Sequence, residues 1–126
     1  MIAFDTNYLV RHIVQDDPVQ CRTVAEVIAD ETASNNTIHL LDLVLLETVW
    51  VLESIYGFDR EALVHVLSAL VEDAAFSFDN PAVIQRSLRR FNVGKADFAD
   101  HFIAASAQSR ELTLKTFDKR LRKDLG

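Results

Sequence analysis

The sequence predicts an α/β domain in which helices cover both faces of a short, mostly parallel sheet. Short apolar runs alternate with longer helical segments along all 126 residues, a pattern typical of βαβ units. A parallel sheet of this kind is covered on both faces, which gives three layers, α/β/α. The length suits one domain with one core, and no linker or repeat divides the chain. We therefore expect a single domain over residues 1–126.

The first third of the chain is predicted to form, in order, a strand, two helices and a second strand, over residues 2–4, 6–14, 18–31 and 37–41. Both strands are short apolar runs that end near turn residues, which is typical of buried strands. Thr6 or Asn7 can cap the first helix, because a short polar side chain satisfies free N–H groups there. Pro18 suits the first turn of the second helix, where its missing N–H is not needed.

The middle third is predicted to form two helices and a third strand, over residues 43–54, 60–73 and 74–78. The first of these helices is apolar on nearly every side. Gly57 ends it, and Asp59 can cap the next helix, in which leucines recur at helical spacing. The run "AAFSF" then reads as a buried strand.

The last third is predicted to form two helices, a fourth strand and a final helix, over residues 81–91, 96–110, 112–117 and 118–126. Asn80 can cap the first of these helices, and "NVGK" is the loop that follows it. The run "LTLKTF" predicts the strand, and the final helix is short and basic. Ligands in such folds bind beyond the carboxyl ends of the strands, so functional residues are expected at that edge.

Charge is unevenly distributed along the chain. The net charge is −6, with 14 acidic and three basic side chains in residues 1–79 but five acidic and ten basic ones in residues 80–126. The acidic balance argues against indiscriminate nucleic-acid binding, while the basic part leaves room for a local basic surface. Ordinary solvated helix faces are the alternative. One cysteine cannot form a multi-cysteine zinc site, and no apolar run suits a transmembrane helix. We expect a cytoplasmic protein.

Five acidic side chains from four segments are the candidate functional residues. Asp5 follows the first strand and Asp118 the fourth, so parallel strands would place both at one edge of the sheet. Glu47 interrupts the apolar helix, and a buried carboxylate there would need a cation. A structural salt bridge is the alternative for this glutamate. Asp97 and Asp100 precede or begin an apolar helix, where the helix dipole also tolerates them as capping residues.

Carboxylates held together repel and raise one another's pKa unless a cation neutralises them. Oxygen ligands without cysteines or paired histidines match Mg²⁺ or Mn²⁺ rather than zinc. Mg²⁺ commonly uses a few carboxylates together with substrate phosphates. The sequence therefore predicts a magnesium site suited to hydrolysis of phosphodiester bonds at the edge of the sheet.

The sequence resembles the PIN-domain ribonucleases, and in particular the VapC-type toxins of bacterial toxin–antitoxin pairs. Four stretches in the family's order carry the resemblance: "FDTNYLVR", "LVLLETVWVL", "ADFADHFIAASAQ" and "LTLKTFDKRL". The resemblance implies a single PIN-like domain over residues 1–126, with four strands present and the family's fifth edge strand missing. It also implies a Mg²⁺-dependent endoribonuclease in which water is the nucleophile.

The resemblance implies roles for individual residues. The implied catalytic acids are Asp5, Glu47, Asp100 and Asp118. Asp5 and Asp100 would be the principal metal ligands, and Glu47 and Asp118 would complete the pocket directly or through water. Asp97 would be an accessory acid. The polar neighbours that would orient carboxylates or water are Thr6, Asn7 and Thr116. The basic residues that would contact RNA phosphates are Lys95, Lys115, Lys119 and Arg120.

The resemblance further implies three partners: an RNA substrate, a second copy in a homodimer, and a small VapB-like antitoxin in a heterotetramer or larger complex. No membrane partner is expected. Two other functions stay open. One is a non-catalytic PIN-like module that binds RNA or protein. The other is a phosphatase with Asp5 as nucleophile, which is disfavoured because Asn7 occupies the place of the second acid in a DxD motif.

Overall fold

The computed structural model describes all 126 residues and contains three strands and seven helices. In chain order these are β1 (Ile2–Ala3), α1 (Thr6–Ile13), α2 (Pro18–Ala33), β2 (Ile38–Leu40), α3 (Asp42–Ser54), α4 (Arg60–Glu72), β3 (Phe76–Phe78), α5 (Pro81–Val93), α6 (Phe98–Ser109) and α7 (Lys119–Leu125). The predicted α/β class is confirmed, and the architecture is consistent with the three-layer PIN-like fold. None of the helices combines the length and the apolar character that crossing a membrane requires.

The sheet is parallel throughout, with the strands in the order β1-β2-β3. Ile2 lies opposite Ile38, which in turn lies opposite Phe76. Two helices connect each pair of consecutive strands, because a parallel pair needs a long crossover. Ile38, Leu40 and Phe76 are buried and join the main core cluster. One face of the sheet is therefore fixed by apolar packing.

The predicted fourth strand over residues 112–117 is wrong. This segment pairs with no strand, so the sheet has three strands instead of four. Leu112 is 59% exposed and Phe117 is 96% exposed. The small second core cluster, against which Leu114 packs, consists of Ala96, Ala104 and Leu121. The segment thus lies against α6 and α7, and a strand-like sequence without a neighbouring edge to pair with does not form a strand.

Six of the seven helices follow a short polar residue, whereas α3 follows Leu41. Asp59 caps α4 and Asn80 caps α5, each by accepting a hydrogen bond from the first turn of its helix. The cap of α1 is Asp5, so the prediction of Thr6 or Asn7 for this role is wrong. The carboxylate of this aspartate satisfies a backbone N–H group that would otherwise lack a partner.

Asp124 fastens α7 to the loop before α6. Its carboxylate accepts hydrogen bonds from the backbone N–H groups of Lys95 and Ala96, both at 2.8 Å. The Nε2 atom of His101, which is fully buried, lies 2.9 Å from the same carboxylate. The bonds to Ala96, Lys95 and His101, in that order, hold the pKa of Asp124 below its ordinary value. The start of α6 is therefore tied to the C-terminal helix.

Candidate functional site

Three of the predicted acids lie near one another around the start of α6. Asp97 directly precedes this helix, and Asp100 lies in its first turn. Asp118 caps α7 by accepting a hydrogen bond from Leu121 N–H at 2.8 Å. Burial raises the pKa of Asp100, and the negative charges of Asp118 and Asp97 raise it further. The positive charge of Arg120 lowers the pKa of Asp100. The three carboxylates are thus close enough for their charges to interact.

The other two predicted acids lie just before α1 and on α3. The Thr6 hydroxyl donates a hydrogen bond to Glu47 Oε1 at 3.0 Å, which links the start of α1 to α3. Asp5 is exposed, and its carboxylate is engaged in capping α1. Glu47 is exposed too, so the prediction that it is buried is wrong. The reason is that α3 leaves one face in solvent despite its apolar sequence, and Trp50 is 62% exposed there.

The five acids do not form one metal-binding cluster. No group of three or more His, Cys, Asp or Glu side chains is arranged to hold a metal ion. Asp5 and Asp118 were expected at one sheet edge, but residues 112–117 form no strand that would place Asp118 there. The donor chemistry nevertheless fits a hard cation, because every donor is a carboxylate oxygen. Burial is the largest cause of the raised pKa of Asp100, and the repulsion by Asp118 and Asp97 that adds to it is what a divalent cation relieves.

Of the predicted polar neighbours and basic residues, Thr6, Thr116 and Arg120 interact with the predicted acids. Thr116 Oγ1 accepts a hydrogen bond from the backbone N–H of Asp118 at 3.0 Å, which fixes the turn before α7. The predicted RNA-contact residues are all exposed, and none takes part in an ion pair: Lys95, Lys115, Lys119 and Arg120. Their cationic groups are therefore available to a polyanion.

A cavity of about 310 Å³ opens beside Asp5. Its walls come from α1 and α2, and its lining residues are Asp5, Asn7, Tyr8, Arg11, Gln20, Thr23 and Val24. No cavity between these helices was predicted from the sequence. Tyr8 and Arg11 share one face of α1, and Gln20 and Val24 share one face of α2, so the spacing was visible. What the sequence could not show is that these two faces meet.

A polar cluster of His39, Ser77 and Asp79, which was not predicted from the sequence, links β2 to β3 and to the residue that follows β3. His39 Nδ1 lies 3.0 Å from Ser77 Oγ, and His39 Nε2 lies 2.6 Å from Asp79 Oδ1. The other oxygen of Asp79 accepts a hydrogen bond from Asp42 N–H at 3.0 Å. Burial and the nearby charge of Asp79 raise the pKa of Asp42. His39 and Ser77 are opposite one another in the sheet register, which only the aligned strands reveal.

Comparison with protein-family models shows a match to the PIN domain over residues 2–123. The chain belongs to the PIN domain family. PIN domains are generally nucleases and typically bind divalent metals. Neither the curated proteins nor the solved structures include a match to this chain. The match spans both acid groups and the cavity, so this PIN domain presents a nuclease-like fold with acids at the start of α6, just before α1 and on α3.

Proposed function

We propose that this PIN domain is a Mg²⁺-dependent endoribonuclease that acts as the toxin of a toxin–antitoxin pair. The observation that carries the hydrolytic activity is the placement of Asp97, Asp100 and Asp118 around the start of α6, where burial and the two neighbouring charges raise the pKa of Asp100. Carboxylates that raise one another's pKa weaken a fold, and they are typical of functional sites. In a family whose members are generally nucleases, such a group supports hydrolysis of phosphodiester bonds. The toxin role rests on the four stretches that resemble VapC-type toxins.

Mg²⁺, or Mn²⁺ in its place, would be held by carboxylates at the start of α6. Asp100 and Asp118 are the proposed ligands there, with Asp97 as an accessory and Asp5 as the proposed ligand from α1. When bound, such a cation supplies a water of lowered pKa and neutralises charge that develops on the phosphate. Because its pKa is raised, Asp100 retains its proton to a higher pH than a solvated aspartate. Cation binding therefore competes with that proton.

The remaining residues orient the acids and the RNA. Thr116 fixes the turn that carries Asp118, and Thr6 holds the carboxylate of Glu47. Lys95 directly precedes the residues at the start of α6, and Lys119 begins α7. Exposed cations at these places suit contacts with RNA phosphates, which position the chain without reading its sequence.

The Asp100→Asn variant tests the proposed activity, because it removes the charge and keeps the shape. Purified parent protein should cleave labelled single-stranded RNA in the presence of Mg²⁺, and addition of EDTA should stop the cleavage. The variant should lose more than about 100-fold in rate, beyond the range for residues that only support a metal ligand. Asp30→Asn, an exposed aspartate of α2, is the matched control and should cleave like the parent. Equal cleavage by Asp100→Asn would contradict the assignment.

A non-catalytic PIN-like module that binds RNA or protein is the second candidate. The observation that favours it is that the acids are not assembled into one cluster. Titration with Mn²⁺ separates the two, because this ion broadens the NMR signals of nearby residues. Saturable broadening at the start of α6 that disappears in Asp100→Asn supports the nuclease. Absence of broadening, together with no acid-dependent cleavage, supports the module.

We also propose that the protein forms a homodimer, binds a VapB-like antitoxin and is located in the cytoplasm. Induced expression of the parent in bacteria should arrest growth, and expression of Asp5→Asn at the same level should not. Co-expression of an antitoxin encoded next to this protein should relieve the arrest and yield a co-purifying complex. Growth arrest by both the parent and Asp5→Asn would separate toxicity from the acids.

A further inference from the structure

The cavity beside Asp5 is lined by polar side chains that the fold itself does not use. The side chains of Tyr8 and Gln20 make no hydrogen bond, whereas their backbone N–H groups donate to the carboxylates that cap α1 and α2. The Tyr8 hydroxyl and the Gln20 amide have no protein partner, and neither has the side-chain amide of Asn7. All three residues are exposed. The cavity therefore offers free donors and acceptors next to an aromatic ring.

The Tyr8 ring packs against the ring of Phe4. Its centroid lies 5.1 Å from that of Phe4, with the rings tilted by 51°. Phe4 is buried in the main core and contacts Phe76 edge-on. Tyr8 remains 38% exposed. An aromatic ring that is fixed by the core and open to solvent is a surface on which a planar ring can stack at little entropic cost.

The charges around the cavity select against a phosphate group. The guanidinium of Arg11 is already paired with Asp16 and donates a hydrogen bond to the Tyr56 hydroxyl at 2.6 Å. Asp5, which also lines the cavity, would repel an anion. The volume of about 310 Å³ is near the lower limit for small-ligand sites. These properties suit a small, planar, uncharged ligand with polar edges.

We propose that this cavity binds one nucleobase of a single-stranded RNA substrate. The base stacks on Tyr8, and the amides of Gln20 and Asn7 hydrogen-bond its edge, because an amide offers both donors and an acceptor. The proposal rests on the proposed ribonuclease function, since Asp5 belongs both to the cavity and to the proposed acid set. Tyr8 and Gln20 are then positioning residues that place a nucleotide beside the scissile phosphate.

Binding of a fluorescein-labelled single-stranded RNA, measured by anisotropy in EDTA, tests this base site without cleavage. Tyr8→Leu should weaken binding about 5- to 100-fold, the range for loss of one stacked base. Tyr8→Phe keeps the ring and should bind within about twofold of the parent. Gln20→Ala should also weaken binding, whereas Gln108→Ala, an exposed glutamine of α6 outside the cavity, should not. The salt dependence should be the same for parent and Tyr8→Leu, because no ionic contact is lost.

A second RNA supplies an independent comparison. The same oligonucleotide without bases should bind the parent at least as weakly as the intact RNA binds Tyr8→Leu, because it loses the hydrogen bonds to the base edge as well as the stacking. Parent-like binding by Tyr8→Leu, or equal weakening by Tyr8→Phe and Tyr8→Leu, would overturn the base site. RNA affinity that is unchanged in both Tyr8→Leu and Gln20→Ala would also overturn the base site. A side chain of a protein partner would then be the better candidate for the cavity. If Tyr8→Leu does not fold, Gln20→Ala decides, since this residue is exposed.

Failure of the base site and failure of the ribonuclease give different results. Parent protein that binds RNA through Tyr8 but never cleaves with Mg²⁺ contradicts the ribonuclease and supports the base site. Parent protein that cleaves RNA while its affinity is unaffected by Tyr8→Leu contradicts the base site alone. If the protein is a nuclease with this base site, Tyr8→Leu should raise KM more than it lowers kcat. The reason is that the base stacks on Tyr8 in the bound substrate as well as in the transition state.

Discussion

Removal of the Asp124 carboxylate should destabilise the whole domain. In the Asp124→Ala variant, the backbone N–H groups of Lys95 and Ala96 and the Nε2 atom of His101 lose their shared partner. The contact ties α7 to the loop before α6, so its loss also frees the small cluster around Leu121. We therefore expect a loss of global stability and not only local fraying.

The size of the effect follows from the burial of the groups left behind. Lys95 is exposed, so its N–H group can turn to water. Ala96 and His101 are both 0% exposed, so their polar groups cannot. A buried donor without a partner costs about 1–3 kcal/mol, and two of them give about 3 kcal/mol as a central value. This is a large share of the 5–15 kcal/mol that is typical of a domain.

Urea unfolding followed by circular dichroism and Trp50 fluorescence measures this change. Asp124→Ala should lower the free energy of unfolding by about 3 kcal/mol and the melting temperature by roughly 10 °C. Asp30→Ala is the control, because Asp30 is exposed and its side chain makes no hydrogen bond; it should stay within about 0.5 kcal/mol of the parent. A loss below about 1 kcal/mol for Asp124→Ala would refute the reasoning.

The remaining predictions concern pH, a close contact, an arginine and the core. The pKa of Asp124 in the fold is below its ordinary 3.8, so its stabilisation is complete above that value and is lost as pH falls through the folded pKa. The difference between the urea midpoints of parent and Asp124→Ala should therefore narrow as the pH falls below about 4, and a constant difference would contradict this. Gly94→Ala should cost about 1–3 kcal/mol in urea unfolding, because a Cβ there would collide with the Asp124 carboxylate. Arg60→Lys should cost about 1–3 kcal/mol in thermal melting, since a lysine cannot both lie over the Phe91 ring and serve several carbonyl oxygens. Phe98→Ala should cost about 3–5 kcal/mol by the same urea assay, because Phe98 is buried against Phe91; parent-like stability in any of these variants would contradict its stated contact.

Features that depend on neighbours within one helical turn can be predicted from this sequence. Pro18 begins α2, Asp59 caps α4 and Asn80 caps α5, as their local chemistry indicates. The segment 112–117 shows the limit of such reasoning. Its residues are typical of a strand, but a strand also needs a paired edge, which the local sequence does not specify.

The site divides in the same way. Asp97 and Asp100 are three residues apart at the start of the same helix, so the repulsion between their charges can be predicted from the sequence alone. Exposure of Glu47 does not, because an apolar helix such as α3 does not reveal which face packs inward. The meeting of Tyr8 with Gln20 across the cavity likewise depends on how α1 packs on α2. Contacts between elements escaped prediction, and so did the one element that depends on such a contact, since residues 112–117 form no strand.

The unpaired segment 112–117 bears on the solubility of the protein. It is exposed at both ends, carries β-forming residues, and has no strand beside it. Such segments can stack on identical copies from other chains and start aggregation. Lys115 lies within this segment and is exposed, so every stacked copy would add a positive charge to the same row. The lysine therefore acts against self-association of the segment, in addition to its proposed contact with RNA.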